Sequence, residues 1–227
     1  MKLRWIVVAA LAAVTGIAIM SYGAYRFEPA FYADALAAQS TDQSVANNEL
    51  LEHASALTAD AQHDRSWKAL FSARQINGWL AIDVPKNHPD LLPIGITAPR
   101  VAIDRGRLSL AFRYGHGRLS AVCSVDLAVS MAAPDLLAIR VDNFRAGLIP
   151  IPMGRILDAI SQQARRAGVA IEWKQSDGNP VALVRMSPFE NRDQRFFVRS
   201  IEMHDGEMYV TGQTEPVRVA RLPAGLH

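Results

Sequence analysis

Six histidines, at positions 53, 63, 88, 116, 204 and 227, a single cysteine at 123, and a loop carrying Asp83, His88 and Asp90 are the residues whose chemistry could bind a metal or move a proton. Metal sites need imidazoles and carboxylates that converge, and a helix or strand supplies them at fixed spacings. None of these histidines pairs with another at such a spacing, so all six are expected to be solvated residues of loops, tail and spacer. Cys123 falls at an inward position of an alternating stretch, where a small buried hydrophobe is expected rather than a nucleophile. Asp83, His88 and Asp90 are the densest titratable group, and turn and cap chemistry is their expected role. The sequence holds no Gly-x-Ser-x-Gly elbow, phosphate-cradling glycine loop or His-Glu-x-x-His zinc helix. No enzyme activity, metal or cofactor is expected.

Arg100, Arg105, Arg107, Arg113 and Arg118 against Asp104 form the one local basic excess. On two adjacent strands they could gather on one face and suit anionic headgroups, or form an ordinary solvated sheet face. The formal net charge of +2 hides a split, because residues 28–65 hold seven acids and one base.

The element most clearly signed is a helix launched by Gly147-Leu148-Ile149-Pro150-Ile151-Pro152 and running from 152 to about 167. Pro152 suits a first turn, since the amide it lacks would have had no intrahelical partner. A step of 100° per residue puts Met153, Ile156, Leu157, Ile160 and Ala164 on one side and charged or polar residues on the other. Arg165 and Arg166 favour the negative end of the helix dipole, and Gly168 suits a left-handed cap.

Trp5 to Tyr25 is a nearly unbroken apolar run, long enough as a helix to match the roughly 30 Å of bilayer hydrocarbon. With Lys2 and Arg4 ahead of it, the run predicts a single-pass anchor over residues 1–27, its N-terminus cytoplasmic and the rest of the chain outside. A cleaved signal peptide ending near Ser21-Tyr22-Gly23 is the rival reading. Residues 28–65 read as a helical stalk, with Leu50, Ala54, Leu57 and Ala61 spaced as in a heptad seam too short for a firm dimerising coiled coil, so that a lone spacer helix partly docked on the body is the expected form. Nucleic acid is not expected as a partner for a body outside the cytoplasm.

Ser72-Ala73-Arg74-Gln75 has the spacing of a capping box and opens a short helix with Ile76, Trp79 and Leu80 on one side. From Arg100 the period changes to two. Residues 107–114, 119–130 and 136–145 alternate apolar with polar, and short turns make neighbouring strands antiparallel. After the helix come strands at 169–173 and 181–186 and a hairpin of 195–203 with 207–213 turned at His204-Asp205-Gly206. The expected fold is α+β: an N-terminal transmembrane helix and helical stalk, then a body over 66–213 with a curved antiparallel sheet packed around one long amphipathic helix, and a loose tail over 214–227.

Ser72 to Leu80 resembles the "T-x-x-x-L-N-x-L-L" helix, and Ile139 to Pro152 resembles the strand and "G-x-L-P-L-P" turn, of YpmS-type membrane-anchored bacterial proteins and of LmeA-like lipid-binding proteins. The similarity covers roughly residues 70–186. These families stand near the tubular lipid-binding (TULIP) group, so the resemblance implies a curved sheet around a helix with an apolar groove. It carries over no functional residue.

The expected function is accordingly the binding or shuttling of lipid or another apolar ligand near the membrane. A groove beside the helix would be lined by Leu137, Ile139 and Val141 before it, Ile156 and Ile160 on it, and Val181 and Leu183 after it. Partners would be the bilayer, through residues 5–25, and the apolar ligand. The alternative is a non-catalytic scaffold of the cell envelope that meets a protein partner, with those same residues packed against the helix as plain core.

Overall fold

The computed structural model describes residues 23–115, 117, 120–166, 168–186, 190–191 and 194–216. Helices α1 (Ala30–Ala37) and α2 (Ser40–His63) come first, then β1 (Ser66–Ser72), α3 (Ala73–Asn87) and a 3-10 turn at Pro89–Leu91. A meander of β2 (Ile96–Asp104), β3 (Arg107–Tyr114), β4 (Ala121–Ala133) and β5 (Leu136–Ala146) follows. After the short β6 (Ile149–Pro150) and helix α4 (Gly154–Arg166) come β7 (Ile171–Ser176), β8 (Asn179–Arg185), β9 (Glu190–Asn191), β10 (Gln194–His204) and β11 (Glu207–Pro216).

The alternating stretches form two antiparallel sheets. The larger runs β2-β3-β4-β5-β8-β7 with β6 added beside β5, and the smaller runs β1-β11-β10-β9. Asp177-Gly178 and Asp205-Gly206 turn their hairpins with both residues at positive φ, 53° and 80° in the first and 40° and 91° in the second. That is the turn whose twist matches flanking strands. The smaller sheet closes one end of the larger. β10 crosses the tips of two hairpins, with Val198 N–H donating to Asp135 Oδ1 at 2.8 Å and Gly106 N–H to Met203 O at 3.0 Å.

Two of the sequence signals at the helix ends hold, whereas Pro152, expected in the first turn of α4, precedes it, since the helix begins at Gly154 and its first bond runs from Leu157 N–H to Met153 O. Ser72 Oγ accepts from Gln75 N–H while Gln75 Oε1 accepts from Ser72 N–H, the capping box of α3. At the end of α4, Val169 N–H donates to Ala164 O and Gly168 N–H to Arg165 O, the paired bonds of a glycine C-cap.

The expected architecture is corrected in three respects. Among the described residues no helix is long and apolar enough to cross a membrane, and the run expected to do so lies, up to residue 22, outside them. The stalk, expected to dock on the body only in part, is folded onto it through both its helices: Tyr32 is fully buried against Ala111 and Val122, and α2 packs along α3 and β1. A Cβ at Gly78 would lie 2.8 Å from Ala46 Cβ, so small residues let α2 and α3 touch closely. Finally, α4 is not the centre of one wrapped sheet. Its main neighbour is the edge strand β7, where Trp173 holds Ser161, and Ile160 is 39% exposed.

Candidate functional site

Register shows how the larger sheet divides its residues. Directly opposed positions on neighbouring antiparallel strands point to one side. Ile103, Leu108 and Leu127 are opposed in sequence across β2, β3 and β4, as are Phe112, Cys123 and Ala146 across β3, β4 and β5. Farther along, Leu137 opposes Val184 and Val184 opposes Ile171, while Ile139 opposes Ala182 and Ala182 opposes Trp173. At these paired positions of β3, β4, β5 and β8 every side chain is apolar or the Cys123 thiol. The other face is polar at its middle, where Ser109 Oγ and Asn143 Nδ2 both donate to Asp126 and Arg140 pairs with Asp142 at 2.6 Å, and apolar at Ala111 and Val122, which Tyr32 covers.

The apolar face is only partly covered. Val125, Val141 and Ala182 are buried, whereas Leu108, Leu110, Phe112, Leu127, Leu137 and Ile139 are half-buried. Above it lies α4, tied to both sides of the sheet. Trp173 Nε1–H on β7 donates to Ser161 Oγ at 2.7 Å, and Gln163 Nε2–H donates to Asp90 O at 2.9 Å, in the turn that leads from α3 toward β2. Ile151, just ahead of α4, packs on the cluster of Ala121, Cys123 and Ala146, as Tyr25, Phe112 and Phe144 do. The arrangement has the ingredients of an apolar-chain site: a broad hydrocarbon wall, a spanning helix and no charge on the wall.

The residues expected to line a groove are divided by the register. Leu137, Ile139 and Val141 lie on the apolar face. Val181 and Leu183 oppose Arg140 and Ala138 and therefore point to the polar face. Ala182 and Val184, one residue out of phase, take their places. Ile160 sits on α4, and the side chain of Ile156 lies outside the described residues. Trp173, which ties α4 to β7, was readable only as the continuation of the alternation from Ile171.

The titratable candidates are structural. Asp83 is buried and accepts from Trp79 Nε1 at 3.0 Å and Asn87 Nδ2 at 2.6 Å, with His88 Nε2 3.3 Å away, so its lone pairs are used locally. Cys123 is buried, and burial pushes its thiol pKa up, away from the reactive thiolate. Among the described residues no group of three histidine, cysteine or carboxylate side chains could hold a metal.

The arginines do not form an exposed patch. Arg100 is buried and Arg113 is ion-paired with Glu28 at 2.8 Å, because the chain around α1 covers that face; Arg105 pairs with Asp205 across the hairpin tips at 3.6 Å, and Arg118 lies outside the described residues. A cleft of about 490 Å³ between α1, α2 and α3 mixes Asp34, Asp42 and Arg74 with alanines, and Arg74 is held by Glu49.

No family model, curated protein or solved structure matches the chain.

Proposed function

We propose that the protein binds a long apolar chain, such as the acyl chain of a lipid, between the apolar face of the larger sheet and α4, and that it does so beside a membrane. The observation that carries this reading is the uncharged wall from Leu108 to Trp173, half-buried although a helix is fastened across it. The apolar run at residues 5–25, with Lys2 and Arg4 ahead of it, is what favours a membrane and a body outside the cytoplasm. The full chain, purified and extracted into organic solvent, should yield a co-purified lipid by mass spectrometry, and Ile139→Trp, which enlarges a side chain on that wall, should displace it without lowering the melting temperature. No lipid in the wild-type extract, together with marked destabilisation by Ile139→Trp, would identify a packed core instead.

A second reading, a non-catalytic scaffold of the cell envelope, is favoured by Leu70 and Tyr209. They oppose one another across β1 and β11 and are each 40% exposed on the smaller sheet. A protein partner lost on Leu70→Ser with Tyr209→Ser, from a chain that carries no lipid, would decide for it.

A further inference from the structure

The two ends of the larger sheet differ in chemistry. At the end crossed by β10 the turns are Asp104-Arg105-Gly106, Pro134-Asp135 and Asp205-Gly206, charged and polar. The other end is a rim of exposed hydrocarbon. Ile94, in the turn before β2, is 95% exposed; Tyr114, at the end of β3, is 55%; Leu148, in the turn after β5, and Ile149, on β6, are exposed as well. These positions share one edge of the fold. A Cβ at Gly95 would lie 3.4 Å from the Tyr114 ring, and Gly115 N–H donates to Gly95 O at 3.1 Å. Tyr114 opposes Ala121, which clusters with Ala146 and Tyr25.

The start of the described chain arrives at this same rim. Leu148 N–H donates to Ala24 O at 2.8 Å, and Gly147 lies against the backbone of Ala24 and Tyr25. Ala24 and Tyr25 are the last residues of the apolar run 5–25. A folded protein gains nothing from a fully exposed isoleucine in water, and a contiguous exposed apolar patch marks a surface that something covers. Covalent continuity says what covers this one, since a 21-residue apolar run that enters lipid delivers the rim to the lipid surface. Tyr114 is the residue type favoured at the headgroup level.

We propose that the rim formed by Ile94, Tyr114, Leu148 and Ile149 inserts into the interfacial layer of a lipid bilayer and holds the larger sheet end-on to it, with the β10 end away. This inference rests on the reading that the protein works beside a membrane. It adds an orientation: the apolar face and the first turn of α4, which follows Ile149 to Ile151, open toward the lipid.

The test uses the full chain reconstituted in phosphatidylcholine and phosphatidylglycerol vesicles, with an environment-sensitive fluorophore attached through Ile94→Cys or, as the control, Arg105→Cys. Buried Cys123 resists labelling, and both positions are exposed, so neither substitution disturbs packing. With lipids carrying a quencher near the headgroup, the label at position 94 should lose most of its emission while the label at 105 keeps its own, and aqueous iodide should give the reverse order. Equal accessibility of both labels to iodide would overturn the proposal. So would protection of position 94 that appears without lipid and grows with protein concentration, since that assigns the rim to a second copy of the chain. A rim in lipid with no extractable bound lipid would sink the apolar-chain reading alone, and bound lipid with an iodide-accessible rim would sink this inference alone.

Discussion

Asn77 holds the backbone of Val101 with both ends of its amide: Nδ2–H donates to Val101 O at 2.9 Å, and Oδ1 accepts from Val101 N–H at 2.7 Å. β2 is an edge of its sheet, and this side chain does for it what a neighbouring strand would do, which is how α3 seals the edge against further pairing. Asn77→Ala should lose about 2–4 kcal/mol of stability, two bonds plus the cost of leaving Val101 groups unpaired in a buried place. Asn77→Asp keeps the acceptor but sets a carboxylate oxygen against Val101 O where Nδ2–H had donated, so it should lose at least as much. Chemical denaturation of the three proteins checks this, and losses under about 0.5 kcal/mol in both variants would mean that the strand edge is satisfied some other way.

Gly147 and Gly106 both have positive φ, 59° and 67°, but only Gly147 is confined. A Cβ there would lie 2.0 Å from Ala24 O, whereas at Gly106 it would meet nothing. Gly106→Ala should cost about 1 kcal/mol, the backbone strain alone. Gly147→Ala should cost more and detach residues 24 and 25 from the turn, visible as new proteolysis near Tyr25. Similar losses for both variants would show that the contact with Ala24 contributes nothing.

The Tyr32 hydroxyl donates to Ala98 O at 3.1 Å, and burial raises its pKa, opposed by the nearby Arg113. In the unfolded chain the phenol ionises near its ordinary value of about 10, whereas the native state keeps it protonated to higher pH. The stabilisation is therefore fully present below about pH 10 and lost as pH rises through the native value. Tyr32→Phe should cost about 1 kcal/mol at neutral pH and make the alkaline fall in melting temperature shallower. An unchanged alkaline profile would exclude Tyr32 as a source of that fall.

The strands and caps were legible because each rests on a local rule. Alternation from Arg107 to Tyr114 needs only six or eight residues to declare itself, and the capping box at Ser72 needs four. What alternation leaves open is which set of a strand turns inward, since the period is two and a shift of one residue exchanges the faces. Alternation alone lets Val181 and Leu183 be the inward pair, whereas pairing with Arg140 and Ala138 puts Ala182 and Val184 on the apolar side. The docking of α1 was hidden for another reason. Tyr32 stands in a weakly patterned helix, and what buries it, Ala111 and Val122, lies about 80 to 90 residues further along. β1 is hidden likewise, its partner strand lying at the other end of the body.

Arg100 is 6% exposed, its Nη1 donates to Pro99 O at 2.7 Å, and its Nε has no hydrogen-bond partner among the described residues. Burial lowers its pKa, the expected response of a cation taken from water. Arg100→Met keeps the aliphatic volume and removes the desolvated charge, so it should leave stability within about 1 kcal/mol of wild type or raise it by up to about 3 kcal/mol. A thermal melt decides, and a loss of several kcal/mol would mean that an anion accompanies this guanidinium in the working protein.

The pairing of β1 with β11 imposes an order of assembly. Trp67 rests against Gly212, where any larger side chain would strike the indole, and the two are about 145 residues apart in the chain. At a synthesis rate of about 5–20 residues per second, β1 leaves the ribosome roughly 7–30 s before the strand it must join. The α1 and α2 helices that pack on β1 and the β2 edge can form in that interval, but the smaller sheet cannot. For those seconds β1 is an unpaired strand carrying Trp67, Leu70 and Phe71, the segment a nascent-chain chaperone would find exposed and the one most able to pair with a neighbouring unfinished copy.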